Sequence, residues 1–103
     1  MAVYVDNVNI KWREREWCHL VADSLEELHL FANSLGLKRA WFQKNASYPH
    51  YDITSITRKK AIYLGAQIGD RQKIISCAKK MKIQLEKEIN EITRLTNQQF
   101  KLF

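Results

Sequence analysis

Glycine and proline are scarce in this chain: three glycines and one proline among 103 residues. A glycine-rich phosphate cradle of the Walker type cannot be built from so few. Any bound phosphate must therefore be held by side chains and helix ends. The same scarcity, with 46% hydrophobic residues, argues against disorder and for a globular domain. No apolar run approaches the roughly 18 residues of a membrane span, so no membrane partner is expected. The opening MAVYVDN lacks the basic stretch and long apolar segment of a secretion signal, and a cytoplasmic location is the expectation. Cysteine is limited to Cys18 and Cys77, which carry no metal spacing and are expected as free thiols. GxSxG and HExxH are both missing, so neither a nucleophile elbow nor a zincin helix is encoded.

What is present is unevenly charged. The net charge is +6. Residues 1–70 hold nine Lys/Arg against eight Asp/Glu, and residues 71–103 hold eight against three. The basic excess belongs to the tail, where a general affinity for nucleic acid would reside. An anion site in the front part must be local.

The hydrophobic pattern predicts a small mixed α/β fold, a sheet of three to four strands packed by two helices, with a long additional C-terminal helix. Ala2–Val5 reads as a first strand. Residues 9–16 read as a loop or irregular strand, and Trp17–Ala22 as a second strand with Trp17, His19 and Val21 on one face. Ser24 and Glu27 have capping-box spacing before the apolar stripe Leu25, Leu28, Ala32 and Leu35, and Gly36 is placed to end that helix. Arg39–Gln43 reads as a third strand, followed by a loop, KNASYPHYD, in which Pro49 excludes a regular central strand. Thr54 or Ser55 caps a second helix ending at Gly65, and Ala66–Ile68 suits a short last strand. Asp70 caps a long helix. Its residues Ile74, Ala78, Met81, Leu85, Ile89, Ile92 and Leu95 recur at three- and four-residue steps, giving one narrow apolar seam. The organisation expected is an α/β ligand-binding part over residues 1–69 and an amphipathic basic helix over 70–103. The helix is expected to make a homo-oligomer.

Three groups of residues could carry chemistry. Trp12, Arg13, Arg15, Trp17 and His19 alternate cations with aromatic faces, which suits a planar anion. The bland alternative is a surface loop whose arginines pair with Glu14 and Glu16. Lys44, His50, Tyr51 and Asp52 sit between a strand end and a helix start, where ligands gather in α/β folds. The alternative there is an ordinary helix cap with an exposed histidine. Lys73, Lys79, Lys80, Lys82 and Lys87 flank the apolar seam and could touch nucleic acid, although solvating an oligomer fits them better. His29 reads as a half-buried packing residue. Since none of the recurrent zinc spacings occurs, no metal and no other cofactor is assigned.

The stretches AVYVDN, WREREWCHLVADSLEELHLFANSLGLKRAWFQ and PHYDIT, with a following Arg58 and GA, resemble the domain of unknown function 4031 family. Its members are small bacterial and phage proteins. The resemblance covers about residues 2–66 and implies no particular activity. It implies a pattern at Asp6, Trp12, Arg15, Trp17, His19, Asp23, His29, Gln43, His50, Tyr51, Asp52 and Arg58. The chain departs from that pattern at Glu14, where WRGR is expected instead of WRER. The long helix after Gly69 stands outside the usual short form.

The leading expectation is a module that binds or sequesters a phosphorylated, nucleotide-like small molecule. The expected ligand-binding residues are Asp6, Trp12, Arg13, Arg15, Trp17, His19, Gln43, Lys44, His50, Tyr51 and Arg58. Arg15, Lys44 and Arg58 would hold phosphate. A phage counter-defence protein working in the host cytoplasm would have a use for such capture. The first alternative is a small hydrolase acting on a nucleotide-type substrate, with His19, His50 and Asp52 catalytic. The second is a nucleic-acid-binding protein using the basic helix.

Overall fold

The computed structural model describes residues 2–101, with side chains described as far as residue 96. The elements in chain order are β1 (Val3–Val5), β2 (Ile10–Trp12), β3 (Arg15–Ala22), α1 (Leu25–Ser34), a 3-10 turn (Arg39–Trp41), β4 (Tyr51–Thr54), α2 (Ser55–Tyr63), β5 (Gln67–Ile68) and α3 (Arg71–Lys101).

The fold is mixed α/β, with one sheet built around β3. This strand pairs antiparallel with β1, β2 and β4, and β5 extends the sheet by a parallel pairing with β1. Because β3 is eight residues long, β1 and β2 can lie along it end to end. Val5 stands opposite Leu20 and Ile10 opposite Trp17. Residues 6–9 therefore face only Cys18 and His19, so this edge carries a bulge with two residues to spare. Bulges of this kind redirect side chains and gather beside functional sites.

Alternation along β3 separates two faces. Cys18, Leu20 and Ala22 point into a core shared with Tyr51 and Ile53 of β4, Leu25 and Leu28 of α1 and Ala61 of α2. Each large aliphatic side chain buried there contributes about 1.5–3 kcal/mol. The other face carries Arg15, Trp17, His19 and Val21. α3 covers only its upper end, over Tyr4 and Val21, and the lower end is open.

The capping signals appear where the sequence put them. Ser24 Oγ accepts from the Glu27 N–H, Thr54 Oγ1 from the Thr57 N–H and Asp70 Oδ1 from the Lys73 N–H. The capping box is half-formed, because Glu27 turns its carboxylate to the Ala2 N–H instead. Gly36 has φ +80°, the left-handed conformation that ends α1. Leu37 N–H bonds the Ala32 carbonyl and Gly36 N–H the Asn33 carbonyl, the two bonds of a Schellman motif.

Three local expectations are corrected. Arg39–Trp41 is a 3-10 turn and not a strand. All three residues are exposed, so β-prone residues there have no face to bury. Tyr51 and Asp52, expected in the loop that holds Pro49, begin a strand, Tyr51–Thr54. Tyr51 and Ile53 alternate inward, and Pro49 precedes the ladder without interrupting it. Residues 10–16 form a true hairpin, so the sheet has five strands rather than three to four. Its two-residue turn has Arg13 at φ 51° and Glu14 at φ 63°, the values of a type I′ turn. Position 14 is therefore one that glycine suits, which gives the expectation of WRGR there a backbone meaning.

α3 has two unlike halves. Ile74, Cys77, Ala78 and Met81 belong to the same core as the sheet. Gln84 makes the last tie, its amide oxygen accepting from the Leu25 N–H and its amide nitrogen donating to Glu26. From Glu86 to Thr96 every residue is exposed. At about 1.5 Å per residue the helix outruns the body it packs on, and the molecule measures 53 × 26 × 23 Å.

Candidate functional site

Asp6 is the first residue of the bulge and is buried, with 6% of its surface exposed. Burying a carboxylate is costly unless it is paired and hydrogen-bonded. One Asp6 oxygen accepts from the backbone N–H of His19 at 2.9 Å, and the other meets His19 Nδ1 at 2.6 Å. From α2, Arg58 closes over the bulge: its Nε donates to the Asp6 carbonyl at 2.9 Å and its Nη2 to Asn7 Oδ1. The His19 ring is thus fixed by Asp6, and the Asp6 backbone by Arg58.

β4 brings the second half of the site. Asp52 lies directly opposite His19 in the ladder. His50, two residues earlier, comes to the same side of the strand. Its Nδ1 donates to the Tyr48 carbonyl at 2.7 Å, and its Nε2 is 3.0 Å from Asp52 Oδ1. His19 Nε2 approaches the same oxygen at 4.0 Å. The two imidazoles stand edge to face, with centroids 4.8 Å apart. His19, His50 and Asp52 each offer one ligand-type atom, all within 4.8 Å of one another. Burial pulls the His50 pKa down, but the hydrogen bonds to Asp52 and Tyr48 and the nearby carboxylates outweigh it, so the net shift is upward. The hydrogen bond from His50 holds the Asp52 carboxyl below its ordinary value, against the opposing effect of burial.

His19 and His50 line a cleft of about 670 Å³ between the open sheet face, the 46–48 loop and the start of α3. Asn7, Ser47, Tyr48, Asp70 and Arg71 supply its other polar groups, and Val21, Ile74 and Ala78 its apolar floor. The sequence reading passed over Asn7, Ser47, Tyr48 and Arg71. Arg71 alone carried a local signal, as the cation beside the Asp70 cap of a long helix.

The remaining expected site residues disperse. Trp12, Arg13, Arg15 and Trp17 lie on the β2–β3 hairpin, with Arg15 and Trp17 on the His19 face but further along the strand. The Arg13 guanidinium stacks 4.5 Å from the Trp12 ring centre, Trp17 donates to the Trp12 carbonyl, and the two indoles meet edge to face. Among the described residues neither Arg13 nor Arg15 pairs with Glu14 or Glu16. Gln43 joins the site through its backbone, in a bridge to His50. Tyr51 points to the opposite face, where its hydroxyl bonds His29 Nδ1 at 2.9 Å. Lys44 lines a separate groove of about 980 Å³ beside α1. Arg15, Lys44 and Arg58 therefore do not form one phosphate grip. Asp23, a position in the family pattern, accepts from the Cys77 thiol.

Neither cysteine joins the chemistry. Both are buried free thiols, and burial pushes Cys18 up to about 12 and Cys77 to about 11, far from a reactive thiolate at neutral pH. His29 packs edge-on against Phe42 and Tyr51 and is a packing residue, as read from its place on α1.

Residues 3–81 match the family described as "Protein of unknown function (DUF4031)". The chain belongs to that family. The match runs past residue 66 to Met81, the last fully buried residue of α3, so it takes in the packed part of the helix and stops before the exposed part. No curated protein and no solved structure matches the chain. Among the described residues no helix is long and apolar enough to cross a membrane.

Proposed function

We propose that the protein is a small hydrolase that takes a phosphorylated, nucleotide-like molecule into the cleft beside α3 and activates water at His19, His50 and Asp52. The observation that carries this reading is the convergence of His19 Nε2, His50 Nε2 and Asp52 Oδ1, with both histidines lining that cleft. Asp6 and the Tyr48 carbonyl hold both rings from behind. Oriented acceptors of this kind suit removal of a proton from an attacking water. Arg71, beside the Asp70 cap, is the cation that would hold an anionic group of the substrate, and the Tyr48 ring offers a wall for a base. Arg58 is committed to the bulge and Lys44 to another groove, so phosphate capture in either reading would rest on other groups than the expected Arg15, Lys44 and Arg58, and sequestration remains the competing proposal. Destruction of a nucleotide signal would serve a phage counter-defence role as well as capture does.

The test is incubation of the purified protein with linear and cyclic nucleotides, followed by chromatography of the products. Turnover is expected, with His19→Ala slowing it about 10²–10⁴-fold. Tight binding of a nucleotide that is never converted would uphold sequestration and remove the hydrolase.

The exposed half of α3 supports a second proposal, a homo-oligomer. Ile89, Ile92 and Leu95 are all at least half exposed and continue the line of Ile74, Ala78, Met81 and Leu85 that is buried in the body. A continuous seam on an unpartnered helix suits a second copy of the same helix. Light scattering at micromolar concentration should show more than one chain per particle. Nucleic acid, the competing partner for the exposed Lys79, Lys80, Lys82 and Lys87, would instead bind with a steep salt dependence.

A further inference from the structure

The geometry points to a divalent transition-metal site, zinc in the first instance, ligated by His19 Nε2, His50 Nε2 and Asp52 Oδ1, with its open position facing the cleft. The inference rests on the proposed hydrolase for its use, but the site itself stands on independent geometry.

The first argument is the tautomers. A carbonyl oxygen only accepts, so the His50 Nδ1 that meets the Tyr48 carbonyl at 2.7 Å must carry the hydrogen. An ionised Asp6 imposes the same on His19 Nδ1, at 2.6 Å. Nε2 is then the atom that each ring turns toward Asp52, and the His50–Asp52 hydrogen bond needs a proton beyond the one on Nδ1. Without that proton three acceptors face one another, and they repel unless something positive lies between them. A single proton can satisfy the pair at 3.0 Å, but it leaves His19 Nε2 at 4.0 Å without a donor. A cation answers all three.

The second argument is the outer shell. Metal-binding histidines nearly always donate their other ring N–H to a carboxylate or a backbone carbonyl, which fixes the ring and raises its basicity. His19 has the carboxylate and His50 the carbonyl. A tetrahedron with roughly 2.0–2.2 Å bonds has edges of about 3.4 Å, so the His50–Asp52 pair at 3.0 Å must open slightly and the wider separations, 4.8 Å at most, must close by up to about 1.4 Å. Two imidazoles and one carboxylate leave a position for water, as catalytic sites do and closed structural sites do not. The ligands stand on two paired strands, not on a chelating loop. That is why zinc spacings gave no signal: the pattern is His-X-Asp on one strand and a single histidine across from it.

A bound zinc ion would lower the pKa of its water toward neutrality and so supply the nucleophile the hydrolase needs. The water oxygen would bond to the substrate phosphorus. The ester oxygen would depart with the electron pair of the broken P–O bond and take up the proton the water released.

The test is calorimetric titration of the chelator-stripped, full-length protein with zinc chloride, and with cobalt chloride followed by visible absorption. One ion per chain is expected, with tetrahedral cobalt bands. His50→Ala and the isosteric Asp52→Asn should weaken binding 100-fold or more. Asp6→Asn should weaken it about 10–100-fold through the outer shell. His29→Gln, on the opposite face, should leave it unchanged. Thermal melts of each variant separate lost ligands from lost folding. No saturable binding, wild-type affinity in folded Asp52→Asn, or equal loss in His29→Gln would overturn the site. Nucleotide turnover that persists in the stripped protein without bound metal would overturn the metal's part in the reaction while leaving the hydrolase standing. Stoichiometric zinc with no turnover would uphold the site and remove the hydrolase.

Discussion

The two faces of the sheet hold histidines that look alike on paper and differ in use. On the closed face the Tyr51 hydroxyl bonds His29 Nδ1 and the ring packs on Phe42. On the open face His19 gives Nδ1 to Asp6 and turns its other nitrogen toward Asp52 and a cleft. What separates a packing residue from a reactive one is what meets the second nitrogen. Burial with a neighbouring Arg39 pulls His29 below the ordinary imidazole pKa, keeping it neutral, whereas the open face surrounds its rings with carboxylates. The closed face should therefore fail through stability and the open face through function.

The largest effect expected is on the closed face. Leu20→Ala removes a fully buried side chain and should cost about 2–5 kcal/mol in urea unfolding. A cost below about 1 kcal/mol would mean that the two faces are not so unequal. On the open side, Glu14→Gly relieves a left-handed glutamate in the hairpin turn and should stabilise by about 1 kcal/mol, read as a higher melting temperature. A fall would show that Glu14 makes a contact worth more than its strain.

His29 sharpens the comparison through pH. Its folded pKa lies below 6.5, so as pH drops under 6.5 the unfolded chain takes up its proton first. The stability it contributes is complete above 6.5 and is lost between 6.5 and the lower folded value. His29→Gln should thus lose less stability than the wild type on acidification through that window, measured by denaturant melts at several pH values. The smallest effect is expected furthest from either face. Ile92→Ala, at an exposed position of α3, should change the melting of the monomer by less than about 0.5 kcal/mol while weakening any assembly seen by light scattering.

Much of the scaffold was legible because it is local. The α1 caps, the left-handed Gly36 and the start of α3 each depend on residues within a turn of one another. β4 was hidden because its inward pair, Tyr51 and Ile53, is short and lies against Pro49. The segment from Arg39 failed the other way, since β-prone residues need a buried face the chain does not offer there. The site was half legible. His19, His50 and Asp52 could be named as chemical residues, but their meeting depends on β3–β4 register, which no local pattern states. Arg58 shows the same limit. A lone arginine reads as a phosphate ligand, and only the bulge at Asp6 and Asn7 reveals a brace. The long seam was legible as a helix, but where its burial ends, at Met81 to Leu85, follows from the size of the sheet.

One carboxylate grips His19 at two places, the amide hydrogen and the ring. Neither can let go without stranding the other half of a buried anion. The imidazole is therefore a locked rotor whose ordering entropy was surrendered during folding and is not charged again when a ligand arrives. Crystals grown with and without an occupant should superpose at this ring, and the His19 amide should exchange with deuterium as slowly as those of the core strands beside it.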